Sequence, residues 1–322
     1  MTSPATLSVE RESVVFDVTD AVPFAGDISI AGWLFHPVGG DPPRAVLFAI
    51  PGGTYRKDYW HLEIDGHPGY SFAEYFAQAG FAVVAVDNLG TGDSTQPADG
   101  DAVGLAEMSA ANSAAAAAVR VRYPAAPTVG VGHSMGAALA LMQQARYRSF
   151  AALAALGYGY QPLAGLSDSG TDAELLAESA ARFAAMGASC ADGYYVMDRP
   201  ALRPSFYRDD VPLDVVLADE KRATVLPRQA LHTVAATPVG RKLAAAIDVP
   251  VFHGWGDVDN TPNPHTEAQY FPSCSDYTLD VLNGSGHCHN LAQTRHALWA
   301  RLCAWLDALL SPTDSTRTKA DS

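Results

Sequence analysis

The chain has 322 residues, 48% of them hydrophobic and 17% charged, which suits a buried core and excludes a disordered chain or a coiled coil. Asp and Glu total 35 against 21 for Lys and Arg, a formal net charge of −14, so nucleic acid and anionic membrane surfaces are excluded as partners. Cys190, Cys274, Cys288 and Cys303 are too sparse for a disulfide scaffold and read as the reduced thiols of a cytoplasmic protein.

From the N-terminus, no basic stretch leads into an apolar run, so no signal peptide is expected. Residues 9–18 and 28–35 predict two neighbouring strands, a hairpin-like start. AVLFAI at 45–50 stops at Pro51-Gly52-Gly53, AVVAV at 82–86 stops at Asp87, and PTVGVG at 127–132 stops at His133. FAALAAL at 150–156 suits a helix by composition and is assigned to a strand from its place in the order. VPVFH at 249–253 and YTLDVL at 277–282 complete the strands. From the third strand onward the apolar runs are continuous, as in a parallel sheet buried on both faces. Helices are predicted at 71–79, 102–122, 135–146 and 287–310, the last with Leu298, Leu302, Trp305 and Leu309 at helical spacing. Strand–helix–strand repetition implies right-handed crossovers and a three-layer α/β fold. Residues 157–238 break the alternation and are rich in aromatics, so they predict an ordered helical cap. The core is then 1–156 plus 239–310, with 311–322 a disordered polar tail.

Gly132-His133-Ser134-Met135-Gly136 follows one strand and opens the helix MGAALALMQQAR. That strand–turn–helix context places a serine on a tight elbow at the carboxyl end of a sheet. A serine hydroxyl needs a base to become a nucleophile at neutral pH. From the seventh predicted strand onward the histidines available are His253, His265, His287, His289 and His296. His287, in Gly284-Ser285-Gly286-His287 directly after a strand, is the favoured base, with His289 the rival. The acid is expected after the preceding strand, where Asp257 lies three residues past Gly254; Asp259 is the alternate. For the oxyanion, the amide of Met135 supplies one donor and that of Gly53 the second, with Thr54 the alternative.

In these motifs the chain resembles an α/β-hydrolase-fold serine hydrolase with a helical cap, over nearly all of residues 9–310. The resemblance rests on Pro51-Gly52-Gly53, Gly132-His133-Ser134-Met135-Gly136, Gly254-x-x-Asp257 and Gly286-His287, in order and at strand ends. The turn Asp87-Asn88-Leu89-Gly90-Thr91-Gly92-Asp93-Ser94 is similar to one found in many members, whereas Pro51 stands where many carry His. It implies a mostly parallel eight-stranded sheet and a triad of Ser134, Asp257 and His287.

Asp87 and Asp93 read as turn-stabilising residues. His287-Cys288-His289 lacks a fourth ligand at useful spacing, so no metal is expected, and the chemistry calls for no cofactor. The aromatics Tyr55, Trp60, Tyr194, Tyr195, Phe206 and Tyr207 are candidates for the substrate pocket and point to a bulky, apolar, aromatic or polyketide-type ester or lactone. The expected partner is that small molecule, and the reading allows a homodimer. Acyl transfer or C–C bond hydrolysis by the same triad is the alternative, and a non-catalytic ligand-binding protein is the reading from another class.

Overall fold

The computed structural model describes residues 8–39, 42–185 and 189–311. Strands β1 (Val9–Asp17) and β2 (Ser29–Pro37) pair antiparallel along their whole length, Val9 opposite Pro37 and Asp17 opposite Ser29. Strand and helix then alternate through β3 (Val46–Ile50), α1 (Phe72–Gln78), β4 (Ala82–Val86), α2 (Leu105–Arg122), β5 (Thr128–His133), α3 (Met135–Tyr147) and β6 (Ala152–Leu156). Next come α4 (Asp172–Ala185), β7 (Ser189–Ala191), β8 (Tyr194–Val196), α5 (Arg199–Phe206), α6 (Leu213–Glu220), β9 (Leu226–Pro227), α7 (Arg228–Ala235) and α8 (Arg241–Ala244). The chain returns to the main sheet with β10 (Val251–Gly256) and β11 (Tyr277–Leu282) and ends in α9 (Arg295–Leu310).

The eight-stranded sheet has the order β1-β2-β4-β3-β5-β6-β10-β11. Only the β1–β2 and β2–β4 pairings are antiparallel; the others are parallel. Every residue of β3, β4, β5, β6 and β10 is buried, which is why these strands carry unbroken apolar runs. Alternate residues serve two separate cores. Val46, Phe48 and Ile50 join Ala111 and Ala115 of α2 and Leu139 of α3 on one face. Leu47 and Ala49 join Phe72 and Phe76 of α1 and Leu298, Trp299 and Leu302 of α9 on the other. Each of the large side chains contributes about 1.5–3 kcal/mol by burial. Ala-rich α2 packs against α3, its small side chains letting the two helices lie close. Among the described residues no helix is long and apolar enough to cross a membrane.

Three expectations need correction. The stretch between β6 and β10 was expected to be helical, and it also holds a small antiparallel sheet, β7-β8-β9. The last helix begins at Arg295 and not at residue 287, because the amides of His287 and Cys288 are drawn to the carbonyls of Ser205 and Phe206 at 3.0 and 2.9 Å, leaving only a short 3₁₀ turn, His289–Leu291, before it. Strand β10 runs on to Gly256, and the ladder to β11 continues one step further, with the Asp257 amide donating to Leu282 O at 3.0 Å. Of the tail expected to be disordered, 312–322 lies outside the described residues.

Candidate active site

Ser134 sits between β5 and α3 with φ 54° and ψ −122°, a conformation that L-residues rarely adopt. The surroundings hold it there. Its amide donates to Leu156 O at the end of β6 at 2.7 Å, and its carbonyl accepts from the amides of Ala137 and Ala138 at 2.9 and 3.2 Å. The flanking glycines are steric requirements: a Cβ on Gly132 would lie 2.3 Å from Gly136 O, and one on Gly136 would lie 2.1 Å from Ile50 O. The spacing G-x-S-x-G therefore follows from the packing of α3 against β3 and β5.

His287 follows β11 through Gly284-Ser285-Gly286 and borders the same cavity as Ser134. Its Nδ1 is 2.6 Å from Asp259 Oδ1. With Nδ1 committed to the carboxylate, Nε2 is the nitrogen left for a proton from a hydroxyl. The Ser134 hydroxyl makes no hydrogen bond among the described residues; serine and histidine both border the cavity.

The acid next to His287 is thus Asp259 and not Asp257. Asp257 Oδ1 instead accepts from the Ser285 amide at 3.0 Å and ties the two loops together. The physical reason is the length of β10. Counted from Gly254, three residues lead to Asp257; counted from Gly256, where the strand ends, they lead to Asp259.

Asp259 is almost fully buried and takes four hydrogen bonds. Oδ1 accepts from His287 Nδ1 and from the Asn260 amide at 2.7 Å; Oδ2 accepts from His289 Nε2 at 2.8 Å and from the Gly256 amide at 3.1 Å. Burial alone would push this carboxyl up, but the two imidazoles hold it well below the usual carboxylate range. His289, the rival base, is fully buried on the far oxygen of the same carboxylate and does not border the cavity. His133, within the G-x-S-x-G motif, stacks on Tyr59 with ring centroids 4.4 Å apart and donates from Nε2 to His287 O at 2.8 Å. Burial, reinforced by His287 and His289, drives its pKa well below the ordinary histidine value, so it is neutral. His133, His289 and Asn260 were not singled out as supports of the site from sequence; their proximity in the chain to Ser134, His287 and Asp259 respectively was the available signal.

The loop after β3 faces the elbow. The Tyr55 amide donates to Gly52 O at 3.2 Å, closing a turn whose third residue, Thr54, has φ 70°. Among the described residues, no protein acceptor takes the Gly53 amide. Gly53, Thr54, Ser134 and Met135 all border the cavity, so the candidate oxyanion donors lie together beside the serine.

The cavity measures about 400 Å³, within the usual span for small-molecule sites. Its apolar wall comes from Leu163, Phe183, Met197, Leu202, Phe206, Leu226, Leu231 and Val234 between β6 and β10, and from Trp255 of β10. Of the six aromatics expected to line it, Phe206 does so. Trp60 is buried in the core edge-on to Phe72, with centroids 4.9 Å apart. The Tyr194 hydroxyl donates to Pro97 O at 2.7 Å, and Tyr195 OH pairs with His232 Nε2 at 3.0 Å. Tyr55 and Tyr207 turn their hydroxyls to Asp219, at 2.9 and 2.5 Å. A tyrosine with a buried hydroxyl needs a partner for it, and these four found theirs away from the cavity.

Asp87 stabilises its turn as expected. Its carboxylate receives the Lys57 amide and Nζ, both at 2.6 Å, and the Asp93 amide at 2.8 Å.

A model of the alpha/beta hydrolase family matches residues 46–301. Among solved structures, the chain resembles a thermophilic esterase from Thermogutta terrifontis, with a TM-score of 0.67, 17% identity, and coverage of 93% of this chain and all of that one. It also resembles a thermostable carboxyl esterase from Bacillus coagulans, with a TM-score of 0.64, 17% identity, and 95% and 100% covered. A soluble variant of monoglyceride lipase from Saccharomyces cerevisiae gives a TM-score of 0.64 at 12% identity, with 95% of each chain covered. No curated protein matches the sequence.

Proposed function

The chain belongs to the alpha/beta hydrolase family, and from that premise we propose that it is a serine hydrolase that cleaves a carboxylic ester or lactone through an acyl-enzyme on Ser134. The observation that carries this reading is the Asp259–His287 pair, joined at 2.6 Å beside a cavity that also exposes a serine on a strained elbow.

In this reading Ser134 Oγ attacks the carbonyl carbon while His287 Nε2 takes its proton. Asp259 holds the imidazole in the required tautomer and stabilises the imidazolium without itself being protonated. The tetrahedral oxygen accepts from the amide of Met135 and from that of Gly53 or Thr54. Collapse breaks the bond to the leaving alkoxide, which takes the proton from His287. Water, deprotonated by the same nitrogen, then releases the acid and restores the serine. The apolar wall favours a small to medium apolar acyl or alcohol group, and the segment between β6 and β10 acts as the cap that selects it. A cytoplasmic setting accords with four free cysteines.

A fluorophosphonate probe and a panel of esters and lactones of graded size test the reading. The expected result is one covalent label, lost in Ser134→Ala, together with turnover of part of the panel. Folded wild-type protein that neither takes the label nor hydrolyses any member would refute it.

A further inference from the structure

The oxyanion loop carries a residue that does not suit its place. A turn with positive φ at its third position favours glycine, and a β-branched threonine there is strained. Thr54 nevertheless occupies it with φ 70° and is buried. Something must hold it, and the holding groups come from the cap. Arg199 Nη1, at the start of α5, donates to Thr54 Oγ1 at 2.9 Å. The Thr224 amide, between α6 and β9, donates to Thr54 O at 3.0 Å.

Arg199 is itself fixed from several sides. Its Nη2 donates to Asp219 Oδ2 at 2.5 Å, to Tyr207 OH at 2.9 Å and to Tyr55 OH at 2.8 Å, and its guanidinium carbon lies 4.4 Å from the centre of the Tyr55 ring. The ion pair is buried, with Arg199 4% and Asp219 3% exposed. Tyr55 OH also meets Cys288 Sγ at 3.0 Å, next to His287. A buried ion pair is a costly way to gain stability, so one that grips a strained catalytic-loop residue is better explained by what it positions.

We propose that Arg199, anchored by Asp219, is a positioning residue that sets the oxyanion loop through Thr54, so that the donors for the tetrahedral oxygen assemble only when the cap is seated. This rests on the serine hydrolase reading above. The cap would then govern the rate of the chemical step as well as the choice of substrate. A loosened loop loses an interaction made chiefly in the transition state, which lowers kcat and spares KM.

The test uses three full-length variants: Thr54→Val, Thr54→Ser, and the double change Arg199→Met with Asp219→Leu, which removes the buried pair without leaving a lone charge. Active sites are counted by fluorophosphonate titration, so that loss of folded protein does not count as loss of rate. With 4-nitrophenyl acetate, Thr54→Val and the double variant are expected to lose about 10- to 100-fold in kcat per active site, with KM moving less than about threefold. Affinity for a trifluoromethyl ketone, which forms an anionic hemiketal on the serine, should fall in step with kcat/KM. Thr54→Ser keeps the hydroxyl and should recover most of the rate lost in Thr54→Val. Should the double variant fail to fold, Thr54→Val decides the matter, since it leaves the ion pair intact. A folded Thr54→Val that keeps kcat and the ketone affinity overturns the proposal while leaving the hydrolase reading standing. A wild type that neither labels nor turns over ester overturns both.

Discussion

Asp259→Asn separates the two carboxylates that lie after β10. Wild-type Asp259 accepts four hydrogen bonds, two on each oxygen, and each oxygen receives one backbone amide and one imidazole. Asparagine offers one oxygen and one NH₂ group. Whichever way the amide turns, its nitrogen faces a backbone N–H that cannot reverse, either that of Asn260 or that of Gly256. A buried donor left facing another donor costs about 1–3 kcal/mol. If the NH₂ lies on the Asn260 side, His287 must accept at Nδ1, and its proton moves to Nε2, the nitrogen that should receive the serine proton. In either orientation the negative charge that stabilises the imidazolium is gone. A kcat loss of about 10³- to 10⁴-fold is therefore expected, the range for such a change in a serine–histidine–aspartate triad. Asp257→Asn serves as the control. The Asp257 carboxylate accepts the Ser285 amide on Oδ1, and asparagine retains an oxygen for that bond. Its kcat should stay within about threefold of wild type. Initial rates with 4-nitrophenyl acetate measure the kcat changes, and urea unfolding followed by tryptophan fluorescence measures the cost of the unpaired donor. If Asp259→Asn keeps more than about a tenth of wild-type kcat, or if Asp257→Asn proves the more damaging change, the assignment of Asp259 is wrong.

Other outcomes follow from the same geometry. Gly136→Ala places a Cβ 2.1 Å from Ile50 O and should destabilise the protein by about 1–3 kcal/mol or more, read as a lowered urea midpoint; a variant as stable as wild type would show that the elbow is not packed as described. Phe206→Ala should reorder the kcat/KM ranking of esters by acyl size, whereas Tyr194→Ala, whose ring lies away from the cavity, should lower stability and leave the ranking alone; the reverse pattern would place the specificity wall elsewhere. His133, buried and neutral with its pKa pushed well below 6.5, takes up its proton more readily in the unfolded chain. The unfolded state therefore binds more protons as pH falls below about 6.5, and stability declines there with a slope of up to about 1.4 kcal/mol per pH unit for this one group. His133→Gln should flatten that slope in urea unfolding at pH 7, 6 and 5, and an unchanged slope would count against a neutral buried His133.

The buried strands were readable because unbroken apolar runs have few other uses. AVVAV at 82–86, buried throughout, shows this to the residue; YTLDVL at 277–282, a half-buried edge strand, matches its bounds as well. Ser134 was legible because glycines two residues to either side of a serine, after a strand and before a helix, reflect a steric demand visible in the chain itself. The carboxylate paired with His287 was not, because its place depends on where β10 stops. That end is set by pairing with β11, a contact between segments 20 residues apart that no local pattern records. The aromatic wall was misjudged for a related reason. Composition shows that tyrosines are present but not where each hydroxyl finds its partner, and Tyr55 and Tyr207 are drawn away by Asp219, distant in sequence from Tyr55. The late start of the last helix likewise depends on carbonyls of Ser205 and Phe206, some 80 residues upstream.

Those two carbonyls bear on whether the enzyme is modular. Families that vary an inserted segment on a constant scaffold invite the exchange of such segments to change what the protein accepts. Here the His287 and Cys288 amides are capped from Ser205 and Phe206, so the inserted segment supplies part of the backbone bonding of the loop that carries the histidine. A foreign segment grafted between β6 and β10 would leave two N–H groups beside His287 without acceptors, at about 1–3 kcal/mol each, unless it reproduced that short edge. Exchange of specificity in this chain is therefore expected to succeed by side-chain replacement within the existing segment, and wholesale grafts are expected to succeed only when residues equivalent to 205–206 travel with the loop at 284–288.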